Sequence, residues 1–573
     1  MFLLNLTSYT LRRIEKAASV VVFVALAGGV IYSHQTGSLY PGLPFAAGFG
    51  VLLLAGVVLQ SRAVSTSVAL VAIAVGLVYR IYAFEFPASM VSFDPDAYAV
   101  QALIIAQTGS TEQLILSEFY SAATAFSVFN AESILVLGLP TDSAFVTIPL
   151  LAAFVIPVSA MAIAHRVTSH RQTFVLAAVL TTLGPATIKY GIRPNPIFFS
   201  GLIFSAFAVT LISYPNRRKI SHLVLSSVLL FALMVSHKIA VIVVVLVCLL
   251  LLIGSHAPFG RAFGNRSVRT AYSLALIAGA ALVIQWMFLT QYISRALPRI
   301  LAIIGVVEPP PELSRAAAVP YEPQLAFQVL AFSFVLTTLA VGGLVWLGLL
   351  KFRYDAKIAR LLAIAGGTVA IVLPGRFSDA AAGTQRTFFF ATAGLGALVA
   401  VGRYFAVKSP RRYLHYLSII AIVIILVSQP LSAASTPDYR DGARHYLTQG
   451  EVNGKAFAQQ HTQGIVYMDR YYWDEVIDFE RAAADGGPQY QAPAAGSYFD
   501  GILEQELTEG TLLQEEHQYV LLRTNVGTYR MDMGRWVLTW DPVASMAASS
   551  RYHQTYSNGH TMMFSRRDTT TPN

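Results

Sequence analysis

The 573 residues carry 55% hydrophobic but only 12% charged side chains, about half the charged share of an ordinary soluble domain, which excludes a chain that is soluble throughout. The formal charge of +9 would suit a nucleic-acid binder, yet its placement loop by loop among the apolar runs excludes that partner. Cys248 is the only cysteine, so an intrachain disulfide and a cysteine-rich metal site are excluded as well.

Arg12, Arg13 and Lys16 precede the first apolar run. That run lacks a small-residue cleavage site and leads into further runs, so it reads as a retained helix rather than a signal peptide. Stretches able to cross about 30 Å of hydrocarbon then recur at 17–33, 44–60, 64–84, 141–165, 172–189, 196–214, 221–236, 239–254, 271–291, 326–349, 361–374, 387–402 and 414–433. Thirteen spans put the two termini on opposite sides. With the N-terminus inside, twenty of the forty Lys and Arg fall in cytoplasmic segments and eleven in the C-terminal tail. Nine face outward: Arg80, Lys189, Arg193, Lys238, Arg295, Arg299, Arg315, Arg376 and Arg386. This positive-inside bias orients the chain in the cytoplasmic membrane and makes anionic inner-leaflet lipids the partner of the basic loops.

The expected fold is an all-α polytopic membrane domain of about thirteen helices over residues 1–433, followed by an extracytoplasmic soluble domain over 434–573. After Pro437 the chain turns polar, with a net charge of −7. Short β-rich runs at Gly464 to Asp469, Gln518 to Thr524 and Thr561 to Ser565 alternate with turn signals, and Ser557-Asn558-Gly559 reads as a hairpin turn. The tail therefore reads as a small α/β or α+β domain.

The third span ends near Arg80, and Glu85-Phe86-Pro87 and Ser92-Phe93-Asp94-Pro95-Asp96-Ala97-Tyr98 follow. On the external side, two solvated carboxylates could take a proton from an attacking hydroxyl or coordinate a divalent cation. The plainer reading is a turn in which Asp96 caps an amphipathic stretch from about 97 to 107. The loop runs on over 86–140, and a segment this long with half-apolar pieces suits a lid on the membrane surface.

An arginine at a span end, a proline, and an acidic motif with a following aromatic at the start of a long first external loop resemble the opening of the GT-C glycosyltransferases. These multi-spanning enzymes use polyprenyl- or dolichyl-phosphate-linked sugars, and protein mannosyltransferases and oligosaccharyltransferases are the distant relatives here. The resemblance implies that Asp94 and Asp96 are catalytic, as general base or metal contact. A metal, if one takes part, would be Mg or Mn at those two residues. More spans precede the motif here than the one usual in the family, so the resemblance gives no helix-by-helix correspondence.

Cations on the same side would serve a lipid-phosphate leaving group. Gly375-Arg376-Phe377-Ser378-Asp379 and Gln385-Arg386-Thr387-Phe388 flank the mouth of the twelfth span, and the resemblance makes Arg386 the donor-phosphate contact. A snorkelling arginine or an Asp379 ion pair is the alternative. Ser236-His237-Lys238 forms a whole external turn, so His237 and Lys238 are further substrate-binding candidates or interface anchors. Arg193, beside Lys189 and Tyr190, and Tyr98 complete the candidate set. His170 and His256 fall inside. No Walker loop, zinc spacing or Gly-x-Ser-x-Gly elbow is present. Tyr472-Trp473-Asp474 is faintly similar to the Trp-Trp-Asp motif of oligosaccharyltransferases, but a tyrosine replaces the first tryptophan.

These residues together imply a transferase moving a sugar, with mannose a candidate, from a lipid-phosphate donor to a glycan or glycoprotein acceptor. The alternative is a transporter or flippase of lipid-linked saccharides, which would call for mid-span charges and matching halves. The main mid-span breakers are Pro157 and Pro185, and neither signature is seen.

Overall fold

A segment in hydrocarbon must satisfy each backbone N–H and C=O within itself, so the long apolar runs fold as helices. The computed structural model describes residues 8–37, 39, 42–61, 64–91, 93–112, 123–184, 191–213, 220–256, 264–303, 306–307, 339–340, 342–344, 346–348, 356–372, 388–434, 446–484, 497–514, 517–525, 529, 538 and 540–567. Seven helices among them are long and apolar enough to cross a membrane: Tyr9–Thr36, Gly42–Gln60, Ser67–Glu85, Thr141–Thr168, Pro196–Ser213, Ala271–Leu289 and Phe389–Lys408. Shorter apolar helices cover Ala125–Leu137, Ile220–Met234, Ala240–Gly254 and Arg412–Ser428. The protein is a multi-pass membrane protein with a small C-terminal sheet domain. Helix is found at every expected span; of 326–349 only 339–340, 342–344 and 346–348 are among the described residues, and they are helical.

In chain order the helices are α1 (Ser8–Thr36), α2 (Gly42–Gln60), α3 (Ser67–Glu85), α4 (Phe93–Thr108), α5 (Ala125–Leu137), α6 (Thr147–Thr168), α7 (Arg171–Thr182) and α8 (Pro196–Ser213). They continue with α9 (Ile220–Met234), α10 (Ala240–His256), α11 (Gly264–Val283), α12 (Ile293–Ile303), α13 (Ala356–Val372), α14 (Phe388–Lys408) and α15 (Arg412–Ala434). The tail adds α16 (Gln449–His461), α17 (Arg470–Asp474), α18 (Phe479–Ala484), α19 (Glu504–Glu509) and α20 (Pro542–Ala548).

The chain divides into two compact units. The first comprises Met1–Tyr82, Leu116–Phe126 and Ile148–Ser435. Small residues let its helices approach closely, as membrane packing requires. A Cβ added to Gly29 of α1 would stand 2.8 Å from the Ala46 Cβ of α2, and one on Gly367 of α13 would meet the Val247 backbone nitrogen of α10 at 2.8 Å. Arg80 of α3 is fully buried in this unit and donates to the Gly76 and Thr182 carbonyls at 3.1 and 2.8 Å. It thereby supplies a cation to the C-terminal end of α7.

The second unit comprises Ala83–Ile115, Ser127–Thr147 and Thr436–Asn573. Its five strands, β1 (Gly464–Met468), β2 (Ser497–Gly501), β3 (Tyr519–Arg523), β4 (Tyr552–Ser557) and β5 (Thr561–Arg566), are ordered β2-β1-β3-β5-β4. β1 runs parallel to both β2 and β3, while β5 is antiparallel to both β3 and β4. Period-2 alternation buries both faces. Val520, Leu522 and Phe564 pack with Leu507, Leu512, Val543 and Met546 on one side. Val466, Met468, Leu521 and Met563 pack with Leu447, Ala458, Tyr471 and Tyr472 on the other. The hairpin turn falls where the sequence places it. Gly559 takes φ +82°, a conformation that favours glycine, and the Asn558 Oδ1 accepts from the His560 and Thr561 amides at 3.0 and 2.9 Å.

Candidate functional site

The Asp-Pro-Asp stretch forms the first turn of α4. Proline is tolerated there because the first turn's N–H groups lack helical partners, and carboxylates suit the positive N-terminal end. Asp94 is in this turn, and the half-buried Tyr98 is one turn further on. Asp96, however, is not a solvated carboxylate: it is fully buried, and its Oδ2 accepts the Val476 amide at 2.7 Å. Nor does α4 behave as a half-apolar lid helix, since Ala99, Val100, Ala102, Leu103 and Ile104 are buried as well. α4 packs with α18 inside the second unit.

Two further buried charges surround Asp96. Glu475 and Lys455 are each fully buried. The Lys455 Nζ donates to the Tyr472, Trp473 and Glu475 carbonyls at 2.8, 3.2 and 2.5 Å, a cation capping the C-terminal end of the short helix α17. Burial, and then the Glu475 charge, holds the Asp96 carboxyl well above its ordinary range. Burial likewise pushes Glu475 up to about 7, an effect that Tyr471, Ser89, Asp96 and Lys455 partly offset. Lys455 comes down to about 8 through burial, against the pull of Glu475, Asp96, Asp474 and Asp469. Two buried carboxyls with raised pKa thus stand near one ammonium, whose charge offsets part of the cost of burying them.

This cluster carries a pH dependence. Both carboxyls hold protons more tightly in the fold than in the unfolded chain, so the stability they add is full only below about pH 4 and shrinks above it. It is lost as pH rises through about 7. Lys455 has the opposite sign: its lowered pKa costs stability at every pH below about 8, a cost relieved only above that value. The melting temperature of the second unit is therefore expected to fall from about pH 5 to about pH 8. Scanning calorimetry across that interval checks this, and a rising melting temperature contradicts it.

α17 holds Tyr472-Trp473-Asp474 and is gripped at both ends. At its N-terminus the Asp469 carboxylate accepts the Tyr472 amide at 3.2 Å and takes a bidentate pair from Arg523 at 2.6 and 3.0 Å. The Trp473 indole donates to the Phe499 carbonyl at 2.9 Å, while Arg470 stacks 4.2 Å over its ring and pairs with Asp474 at 3.2 Å. These aromatics serve the domain's own packing.

In the first unit, the turn between α9 and α10 carries His237 and Lys238. The His237 Nδ1 accepts the Ile239 amide at 3.2 Å, which leaves Nε2 as the ring's N–H when the imidazole is neutral. Lys238 is half-buried, with its ammonium 4.9 Å over the Tyr292 ring. A π-helical turn, Ile284–Leu289, continues α11 and brings two side chains against the His237–Lys238 turn. Gln285 Nε2 donates to the Met234 and His237 carbonyls at 2.5 and 3.3 Å, and Trp286 Nε1 donates to the Lys238 carbonyl at 3.1 Å. Neither residue stood out in the sequence. The one available signal was a glutamine inside the apolar run Leu274–Leu289, a placement that often marks function. Arg193 is buried just before α8, whose first turn is set by the Asn195 Oδ1 accepting the Phe198 amide at 2.9 Å and by Pro196 behind it.

Asp94, Asp96 and Tyr98 thus belong to the second unit, and Arg193, His237 and Lys238 to the first. Arg376, Arg386, Lys189 and Tyr190 lie outside the described residues. Asp96 is ill suited to Mg or Mn, because one oxygen is committed to Val476 and a buried ammonium is its neighbour. Among the described residues no group of three or more His, Cys, Asp or Glu side chains gathers as a metal site.

No protein-family model matches the chain, and no curated protein matches it in sequence. Among solved structures it is similar to the apo oligosaccharyltransferase of Archaeoglobus fulgidus at 12% identity and a TM-score of 0.47, covering 80% of this chain and 69% of that one. It is also similar to the arabinofuranosyltransferase AftD from Mycobacteria at 14% identity and a TM-score of 0.44, where 88% of this chain spans 42% of that one, less than half its length. A third is ArnT from Cupriavidus metallidurans in the apo state, at 10% identity and a TM-score of 0.36, covering 87% of this chain and 98% of that one.

Proposed function

We propose that the chain is a GT-C-type glycosyltransferase of the cytoplasmic membrane. It moves one sugar from a polyprenyl- or dolichyl-phosphate donor onto a glycan or glycoprotein at the outer face. The observation that carries the reading is Asp94 in the first turn of a helix that opens the loop after α3, with the neighbouring Asp96 committed to structure. Of the two carboxylates, that leaves Asp94 for chemistry.

The reaction is a displacement at the anomeric carbon. The acceptor oxygen forms the new bond as its proton passes to the Asp94 carboxylate, and the bond from carbon to phosphate oxygen breaks with its electron pair leaving on the lipid phosphate. Arg386, with Arg376, Lys238, His237 and Arg193, all assigned to the external side by the positive-inside count, would hold that phosphate. A charged lipid phosphate as leaving group makes a nucleotide unnecessary, in keeping with a chain that has no nucleotide-cradling glycine loop. No step is routed through a cation, since Asp96 does not fit one.

The test is transfer of labelled sugar by the purified protein from a synthetic lipid-phosphate donor. Arg386→Ala is expected to raise the donor KM about tenfold or more, the loss of one charge-assisted phosphate contact. A donor KM equal to the parent's in that variant contradicts the assignment of Arg386.

A further inference from the structure

α4 is tied to the C-terminal domain at three places. Before the helix, the Ala88 amide donates to the Leu447 carbonyl at 3.3 Å, and the Ser89 Oγ accepts the Leu447 amide at 2.8 Å. In its first turns, Asp96 accepts the Val476 amide at 2.7 Å beside Glu475 and Lys455. Toward its end, Gln107 Nε2 donates to the Glu480 carboxylate at 2.7 Å. The middle tie differs in kind from the other two. Its three ionisable groups are fully buried, so any displacement of α4 would part the Asp96 carboxyl from the Val476 amide in a low dielectric, and the geometry tolerates little slack.

Nothing in the packing of a small sheet domain calls for such a cluster. An apolar contact would hold a loop helix at lower cost, and buried ionic groups are best attested where register has to be fixed. Asp94 stands two residues before Asp96 on the same helical turn. Fixing the Asp96 carboxyl therefore fixes the backbone from which Asp94 projects, to within the rigidity of one helical turn.

We propose that Glu475, together with Lys455 and the Val476 amide, is a positioning residue for Asp94: the C-terminal domain grips Asp96 and so sets where the first turn of α4 stands. The inference rests on the sugar-transfer reading for the role of Asp94, while the grip itself is a property of the second unit alone. It gives the C-terminal domain a part in the reaction without any contact to the reacting atoms.

The experiment uses the full chain in lipid nanodiscs, with hydrogen exchange and transfer kinetics measured side by side. Glu475→Ala is expected to raise amide exchange over residues 97–104 of α4, leave β3 and β5 protected, and lower kcat about tenfold or more with the donor KM unchanged. Glu475→Gln keeps a hydrogen-bonding group next to Asp96 and is expected to stay within about threefold of the parent. Unchanged exchange over 97–104 in Glu475→Ala overturns the proposal, as does a kcat equal to the parent's. If Glu475→Ala also loses protection in β3 and β5, Gln107→Ala decides. It is expected to raise exchange over 93–108 and lower kcat about twofold to fivefold, and an unchanged kcat overturns the proposal. If the parent transfers no sugar, the transferase reading fails by itself, and exchange over 97–104 in Glu475→Ala still decides whether the grip exists.

Discussion

Asp94→Asn is expected to lower sugar transfer by about 10²–10⁴-fold, the usual contribution of a positioned general base, whereas Asp96→Asn stays within about tenfold of the parent. The two residues are identical and two positions apart, so the asymmetry comes from environment. An asparagine at 94 cannot take the acceptor's proton. At 96 the carboxyl is buried, favours its protonated form beside Glu475, and accepts the Val476 amide. Asparagine there is nearly isosteric with a protonated aspartic acid: its oxygen can accept the same amide and its NH₂ can donate to Glu475. Initial rates with each variant, inserted to the same level as the parent, measure this. Equal and large losses at both positions would mean that Asp96 also acts on the substrate.

The second large effect is on stability. Arg523→Ala is expected to cost the second unit about 3–5 kcal/mol, the penalty for leaving a buried charge without its partner. Arg523 and Asp469 are both fully buried. Their bidentate pair has the Tyr471, Tyr472 and Tyr529 rings 5.3, 5.8 and 5.2 Å from the guanidinium carbon, and the Tyr529 hydroxyl donates to the Arg523 carbonyl at 2.9 Å. Asp469 also caps α17, so Arg523→Ala leaves that cap resting on a buried carboxylate stripped of its counter-charge. Arg523→Lys is expected to recover part of the loss, because an ammonium cannot reproduce the planar fork. The thermal transition of the second unit, followed by limited proteolysis with the spans intact, reads the effect. A transition unmoved in Arg523→Ala would show the pair to be dispensable.

Helices were legible wherever an apolar run was long, because lipid leaves the backbone no alternative. α2, α3 and α8 fall within a few residues of their expected bounds. Run length was less well read. The stretch expected at 172–189 is helical in α7 only to Thr182, with 185–190 outside the described residues. In the tail, β1, β3 and β5 were legible as short β-rich runs set off by turn residues. β2, Ser-Tyr-Phe-Asp-Gly, was not, because it is held by pairing to β1 rather than by its own pattern.

The site was legible only in part. The acidic motif and the His237–Lys238 turn could be picked out locally by residue type. The burial of Asp96 could not, since it depends on an amide 380 positions further along the chain. The solvated carboxylate and the helix cap considered from the local residues both gave way to a third arrangement. The π-helical turn that brings Gln285 and Trp286 onto the His237–Lys238 turn has no sequence period of its own, so spacing could not have revealed it.

The central claim is transfer rather than transport. Purified protein in liposomes, given a synthetic lipid-phosphate sugar labelled on both sugar and lipid together with an acceptor glycan, tests it most directly. Transfer gives labelled sugar on the acceptor and free lipid phosphate in equal amounts, with both lost in Asp94→Asn. Labelled donor moving intact between leaflets, with no sugar on the acceptor, would contradict it.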